Sequence, residues 1–179
     1  LDIVDYPGEW LLDLALMDIS YTEWSAQVLA RIVDRQEAAA YRALVAQTDP
    51  DGRLEEPVAQ ALAASFAEYL QTARANGYSD CTPGRFLLPG DLAGSPVLTF
   101  APLPGGDGSR GSLVREMARR FEAYKRKVVQ PFFRDHFARI DRQVVLVDAL
   151  GAINQGPRAV EDLRGAMSEI LGSFKPGRN

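Results

Sequence analysis

Apolar residues along the chain fall mainly into helical patterns. They recur at intervals of three and four residues over 22–47, 56–77 and 113–130, and again from 157 onward. This spacing lines one face of an amphipathic helix. Pro131 is expected to kink the third helix or restart it, because proline has no N–H and its ring clashes with the preceding turn. The pattern therefore predicts four main helices.

Potential N-caps, Thr22 and Ser112, precede two of these helices. Between the second and third helices, residues 79–111 change character, with proline and glycine recurring every few residues. A connection of this length is either functional or mobile. The apolar stretches Phe86–Leu88 and Val97–Phe100 are expected to pack against the helices.

Two short apolar runs predict strands: 1–4, reading LDIV, and 144–147, reading VVLV. The second is continuous and rich in β-branched residues, as in strands buried on both faces of a parallel sheet. We therefore expect an α/β fold, mostly α by residue count. Residues 1–14 would hold a core strand and turn, 15–140 a helical insertion, and 141–179 a core strand and helix. The chain begins with Leu on a predicted strand, and two strands make no stable sheet, so we expect a segment of a longer protein.

Bulk composition excludes several classes of protein. The 179 residues are 46% hydrophobic and 25% charged, and no apolar run approaches the length of about 20 residues that spans a bilayer. The single Cys81 excludes an internal disulfide and is expected to be a reduced cytosolic thiol, which favours a cytoplasmic location. The single His136 excludes His-pair metal sites and weakens any serine or cysteine hydrolase proposal.

Charge is distributed unevenly. Residues 1–111 carry seven Lys and Arg against sixteen Asp and Glu, whereas residues 112–142 carry nine against four. The basic helix 113–130 could bind phosphates, nucleic acid or an anionic membrane surface. It could equally pair with the acidic region in the fold or form a solvated face. No motif that reads bases accompanies the charge, so specific nucleic-acid binding is not expected.

The candidate chemistry lies in the first turn. The predicted strand 1–4 ends at Asp5, and Pro7 and Gly8 lead into a helix-like segment. In nucleotide hydrolases an acid at such a strand end can hold Mg²⁺, usually through water, and the glycine lets a backbone N–H approach the terminal phosphate. Pro7 would constrain the turn. Glu9 directly follows the glycine, where small GTPases place a residue that orients water.

Each of these residues also has a simpler interpretation. Asp5 and Gly8 can be an ordinary strand-end acid followed by a turn. Glu9 can stabilise the dipole of the helix that it begins.

Other polar residues near the second predicted strand are less informative. His136 is expected to be packed or hydrogen-bonded rather than catalytic. Asp141, Arg142 and Asp148 could form an ion pair or a switch contact, and the sequence does not decide between these alternatives.

Two nucleotide-binding motifs are absent from the sequence. The chain contains no G-x-x-x-x-G-K-[ST] phosphate loop, and its lysines are Lys125, Lys127 and Lys175. It also contains no Asn/Thr-Lys-x-Asp segment of the kind that reads guanine. Without these motifs the chain cannot bind a nucleotide in the usual way by itself.

Three segments nevertheless resemble one family closely: 5–14 (DYPGEWLLDL), 83–91 (PGRFLLPGD) and 133–157 (FRDHFARIDRQVVLVDALGAINQGP). They are similar to the bacterial YcjX-like proteins, and the likeness covers nearly the whole chain in the same order. The resemblance implies a P-loop NTPase with a Ras-like core, associated with stress and the phage-shock response. It also implies a P-loop upstream and a guanine-reading segment downstream of this chain.

By this resemblance, Asp5 matches the Mg²⁺-side acid and Gly8 the switch glycine, so the implied ligands are Mg²⁺ and GTP or GDP, with ATP or ADP as the alternative. The leading hypothesis is a GTP- or ATP-hydrolysing switch that reports its nucleotide state to a protein partner. The alternatives are a nucleotide-sensing scaffold without turnover and a helical interaction module that docks through 113–130.

Overall fold

The computed structural model describes residues 7–106, 108–136 and 144–173. They begin with an 11-residue 3-10 helix, Gly8–Asp18, called here the opening helix. The α-helices that follow are α1 Tyr21–Arg31, α2 Ala39–Ala46, α3 Glu56–Ala75, α4 Gly84–Leu87, α5 Leu113–Tyr124, α6 Gln130–His136, α7 Ala149–Gln155 and α8 Pro157–Ser173. Short 3-10 turns lie at Gln36–Ala38, Gly90–Leu92 and Pro96–Leu98.

The predicted α/β fold with a parallel-sheet core is wrong for the described part of the chain. That part is mainly helical, and its β pairing is limited to an isolated bridge between Arg53 and Ser112. The predicted strand 144–147 has no regular structure there, and Val144 and Leu146 are 83% and 91% exposed. A β-branched run needs neighbouring strands to complete its hydrogen bonds, and the described residues provide none. The other predicted strand, 1–4, lies outside the described residues.

The helix predictions are largely confirmed. Helices α3, α5 and α8 lie where the spacing of apolar residues places them, and Ser112 accepts a hydrogen bond from the Arg115 N–H as the N-cap of α5. The predicted helix 22–47 is instead two helices, α1 and α2, and its N-cap is Ser20 rather than Thr22. Ser20 and Glu23 form a reciprocal capping box.

Pro131 affects the long basic helix in an unexpected way. The chain passes from α5 to α6 through a π-helical turn, Lys125–Val129, rather than through a break. Proline cannot donate the regular helical hydrogen bond and its ring collides with the carbonyl four residues earlier, which gives a physical reason for the wider turn. The buried Lys125 ammonium donates to the Ile19 carbonyl at 2.8 Å.

A large aromatic core holds α1, α3 and α5 together with the 79–111 connection. Trp24 stacks on Phe121 with ring centroids 4.9 Å apart, and Phe66 meets Trp24 edge-on at 5.9 Å. Phe86 and Phe100 are also buried in this core, so the prediction that the apolar stretches of the connection pack is confirmed at these positions. Aromatic pairs of this geometry stabilise a core beyond their buried area.

A second, smaller core lies beside the first. Leu11 and Leu12 of the opening helix pack against Ala166 and Ile170 of α8. The same opening helix also buries Leu16 in the main core. The opening helix therefore lies between the main helical body and α8.

Candidate functional site

The turn that starts the opening helix exposes Gly8 to solvent. Pro7 has extended backbone angles, and its carbonyl accepts a hydrogen bond from the Trp10 N–H at 3.1 Å. Gly8 is exposed, and a Cβ added there would meet no atom of the described residues within 4 Å. Its backbone therefore leaves room for a ligand to approach. Asp5 lies outside the described residues, so its position relative to this turn stays a prediction.

Glu9 already has a partner. Its Oε1 accepts hydrogen bonds from Arg74 Nη2 at 3.0 Å and from Arg74 Nε at 3.3 Å. The ion pair fixes the direction of the carboxylate, while Oε2 takes no part in these bonds. Glu9 also lies in the first turn of the opening helix, where an acid stabilises the helix dipole. The contacts are compatible with both roles expected from the sequence.

The most deeply buried polar group of the site is Asp13, which the sequence interpretation missed. Its Oδ1 accepts a hydrogen bond from the Gly84 N–H at 2.8 Å, and its Oδ2 accepts one from the Tyr124 hydroxyl at 2.6 Å. Burial raises the pKa of Asp13 to about 6, against the lowering effect of Tyr124, Gly84 and the charge of Arg85. The sequence did contain a sign that Asp13 is buried, because this acid lies within the apolar run 11–16.

The 83–91 segment packs directly on the opening helix. A Cβ at Gly84 would overlap the carbonyl of Glu9, so only glycine allows this approach. The Trp10 indole N–H donates to the Leu88 carbonyl at 3.2 Å, and the Arg85 guanidinium lies 3.3 Å from the centroid of the Trp10 ring. Two of the three segments that carry the family resemblance therefore meet in space.

The remaining candidates have different outcomes. Asp148 caps α7, since its Oδ1 accepts the Gly151 N–H at 2.8 Å. Asp141 and Arg142 lie outside the described residues, and the backbone of His136 ends α6.

The basic helix is partly neutralised within the fold. Arg120 pairs with Glu56 at 2.6 Å and with Glu116 at 2.8 Å, and Arg119 also pairs with Glu116. This agrees with the expectation that some of its charge answers the acidic region. Three cations of this helix and its π turn are exposed and form no ion pair with any described residue: Arg115, Arg126 and Lys127.

The described part of the chain has neither a clustered metal site nor a helix that could span a membrane. In that part of the chain no cluster of three or more His, Cys, Asp or Glu side chains could hold a metal ion. None of its helices combines the length and the apolar character needed to cross a bilayer.

Comparison with known proteins identifies the family. The model of the YcjX-like family, DUF463, matches residues 1–179, so the chain belongs to this family and the resemblance seen in the sequence is confirmed. The chain is 38% identical over 192 residues to a protein named Ras-like GTPase YcjX from Escherichia coli strain K12, covering 99% of this chain and 41% of that protein.

A second relative with the same name, from Shewanella oneidensis strain MR-1, is 36% identical over 192 residues, covering 100% of this chain and 40% of the relative. The chain thus spans about two-fifths of the length of these curated relatives.

Proposed function

We propose that this chain belongs to a GTP-hydrolysing switch protein and supplies the turn that senses the terminal phosphate. The observation that carries the proposal is the contrast at Gly8, whose face is open, while the residues immediately after it are anchored to the helical body. The relatives named Ras-like GTPase favour GTP over ATP as the nucleotide.

In this proposal, the residues of the turn have separate roles. The Gly8 N–H approaches the γ-phosphate, Pro7 fixes the direction of the turn, and the free oxygen of Glu9 orients water. Asp5 would hold Mg²⁺, which supplies charge neutralisation at the phosphates when bound.

The opening helix is suited to respond to the turn. It has 3-10 geometry over 11 residues, although such runs are usually short because their hydrogen bonds are poorer than those of an α-helix. Tertiary contacts on both sides hold it: Asp13 and Leu16 toward the main body, and Leu11 and Leu12 toward α8. A small movement of the backbone at Gly8 would therefore alter the packing of the opening helix against both the main body and α8.

We also propose that residues 15–140 are a helical domain inserted between 1–14 and 141–179 in the longer protein. The aromatic core formed by α1, α3 and α5 supports this division. A phosphate loop and a base-reading segment would lie outside the chain. A cytoplasmic location, expected from the single Cys81, and a role in bacterial stress, implied by the family resemblance, remain predictions.

The test uses the full-length protein. We expect binding of a non-hydrolysable GTP analogue and GTP turnover in the unmutated protein, and loss of both in Asp5→Ala and Gly8→Ala. Gly8→Ala should fold normally, because its new Cβ meets no atom. Gly106→Ala is the matched control, since a Cβ there also meets nothing within 4 Å among the residues that the structure describes. Unchanged binding and hydrolysis in both variants would contradict the proposal. Binding without turnover by the unmutated protein would favour a nucleotide-sensing scaffold.

A second function, contact with an anionic membrane surface through 113–130, is carried by the exposed Arg115, Arg126 and Lys127. Retention on vesicles that contain anionic lipid should weaken with added salt and disappear when these three charges are reversed. Absence of retention by the unmutated protein would remove this function.

A further inference from the structure

Arg85 differs from the other arginines that are at least half-buried in the described part of the chain. Arg35 and Arg31 pair with Asp80, and Arg120 pairs with two glutamates. Arg42 donates to backbone carbonyls. No acidic side chain of the described residues forms an ion pair with Arg85.

The Arg85 side chain is partly buried among polar and acidic groups that form no ion pair with it. Burial lowers the pKa of Arg85, against the opposing effect of Tyr124, Asp13 and Asp91. Asp13 is the fully buried acid nearby, and both of its oxygens already accept hydrogen bonds, from Gly84 and Tyr124. A cation that is partly withdrawn from water and has no bonded counter-charge is suited to bind an anion.

The guanidinium is held in a defined place. Its central carbon lies 3.3 Å from the Trp10 ring centroid and 5.7 Å from that of Phe132. A guanidinium over an aromatic face is attracted to the ring and keeps its N–H groups at its edge for other acceptors. One of these nitrogens, Nη1, lies near Gly90, which has no side chain to cover it.

Arg85 is also mounted close to the proposed phosphate-facing turn. Its neighbour Gly84 touches the backbone of Glu9, and Trp10 beneath the guanidinium is two residues from Gly8. The Gly84 N–H bond to Asp13 fixes α4 against the opening helix. A movement of the turn would therefore shift the position of Arg85.

We propose that Arg85 binds an anionic phosphoryl group presented at the Pro7–Glu9 turn, donating its edge N–H groups to the phosphoryl oxygens. This inference rests on the proposed function, since it takes the ligand to be the terminal phosphate of the bound nucleotide. A guanidinium fork matches two oxygens of one phosphate, which a lysine ammonium does not. The helical domain would in this way contribute a cation to the nucleotide site.

The experiment compares two ligands of the full-length protein by calorimetry: GDP alone, and GDP with aluminium fluoride, which mimics a phosphoryl group in transfer. Arg85→Ala should leave GDP affinity unchanged and weaken the aluminium fluoride complex roughly 10- to 100-fold, as expected for a charged hydrogen-bonding group. Arg119→Ala, which removes a surface arginine paired with Glu116, is the control and should change neither affinity.

The outcomes separate the two proposals. Equal affinity of Arg85→Ala and the unmutated protein for the aluminium fluoride complex overturns the role of Arg85, as does an unmutated protein that binds GDP but gains nothing from aluminium fluoride. An unmutated protein that binds no guanine nucleotide overturns the proposed function itself. If Arg85→Ala does not fold, Arg85→Lys decides: it keeps the charge without the fork, and an affinity equal to the unmutated protein's overturns the inference.

Discussion

Gly84 lies against the backbone of Glu9 so closely that a Cβ at position 84 would overlap the Glu9 carbonyl. The contact joins the start of α4 to the residue that follows the proposed switch glycine. Asp13, one turn further along the opening helix, accepts the Gly84 N–H and secures the same contact. The helical body therefore contacts the Pro7–Glu9 turn one residue from Gly8.

Replacing Gly84 by alanine should force this contact apart. We expect Gly84→Ala to lower the free energy of unfolding by about 1–3 kcal/mol, the usual cost of overpacking, because the obstacle is backbone rather than a movable side chain. Denaturant unfolding measures the change. Gly165→Ala is the control, since its Cβ meets no atom of the described residues within 4 Å and alanine is favoured within a helix by about 0.5–1 kcal/mol. Equal stability of Gly84→Ala and the unmutated protein would contradict the packing described.

Asp13 should make stability depend on pH. Burial raises its pKa from 3.8 to about 6, so the folded state holds the proton more tightly than the unfolded state. Stability from this group should therefore fall as the pH rises from about 4 to about 6 and be constant above, with a slope of at most about 1.4 kcal/mol per pH unit. The difference between the unmutated protein and Asp13→Asn in urea unfolding isolates this slope. A difference that does not vary between pH 4 and pH 7 would contradict the prediction.

Two carboxylates lie within ion-pair distance of Arg35, and their removal should change stability by different amounts. Asp80 lies 2.8 Å from Arg35 Nη2, whereas Asp162 of α8 lies 3.9 Å away and its buried Oδ2 has no hydrogen-bond partner. Asp80→Asn should cost roughly 3–5 kcal/mol, because it leaves a buried arginine without its partner. Asp162→Asn should be neutral or stabilising, because burial and the charge of Asp80 already raise the pKa of Asp162.

Equilibrium unfolding of these two variants gives the comparison. Arg164→Ala, which breaks an exposed pair with Glu161 in the same helix, is the control and should change stability little. A loss in Asp162→Asn as large as that in Asp80→Asn would show that Asp162 is a full member of the ion pair.

The sequence predicted the helices better than it predicted their arrangement. The three- and four-residue spacing located α3, α5 and α8, because each buries one continuous face. It merged α1 with α2, because the break depends on Arg35 turning inward to Asp80, a residue 45 positions away. The run 144–147 reads as a strand by composition, but pairing partners are a property of the fold and not of the run.

The candidate site was predictable only in its local part. The sequence pointed to Asp5, Gly8 and Glu9 because these candidates lie within five adjacent residues. The partners that anchor the opening helix are distant in the sequence: Gly84 and Arg85 belong to the 83–91 segment, which the family resemblance marked, and Tyr124 lies in α5. The resemblance did not indicate that these residues contact the opening helix. Their importance follows from contacts that only the folded chain makes.

Hydrogen exchange at residues 83–91 of the full-length protein tests the central claim most directly. The Gly84 N–H bonds to Asp13 of the opening helix, so its exchange reports whether the helical body responds to a change at the Pro7–Glu9 turn. We predict that exchange in this segment differs between the GDP-bound protein and the protein bound to a non-hydrolysable GTP analogue, while exchange in α3 stays the same. Identical exchange at 83–91 in a protein that binds both nucleotides would contradict the account.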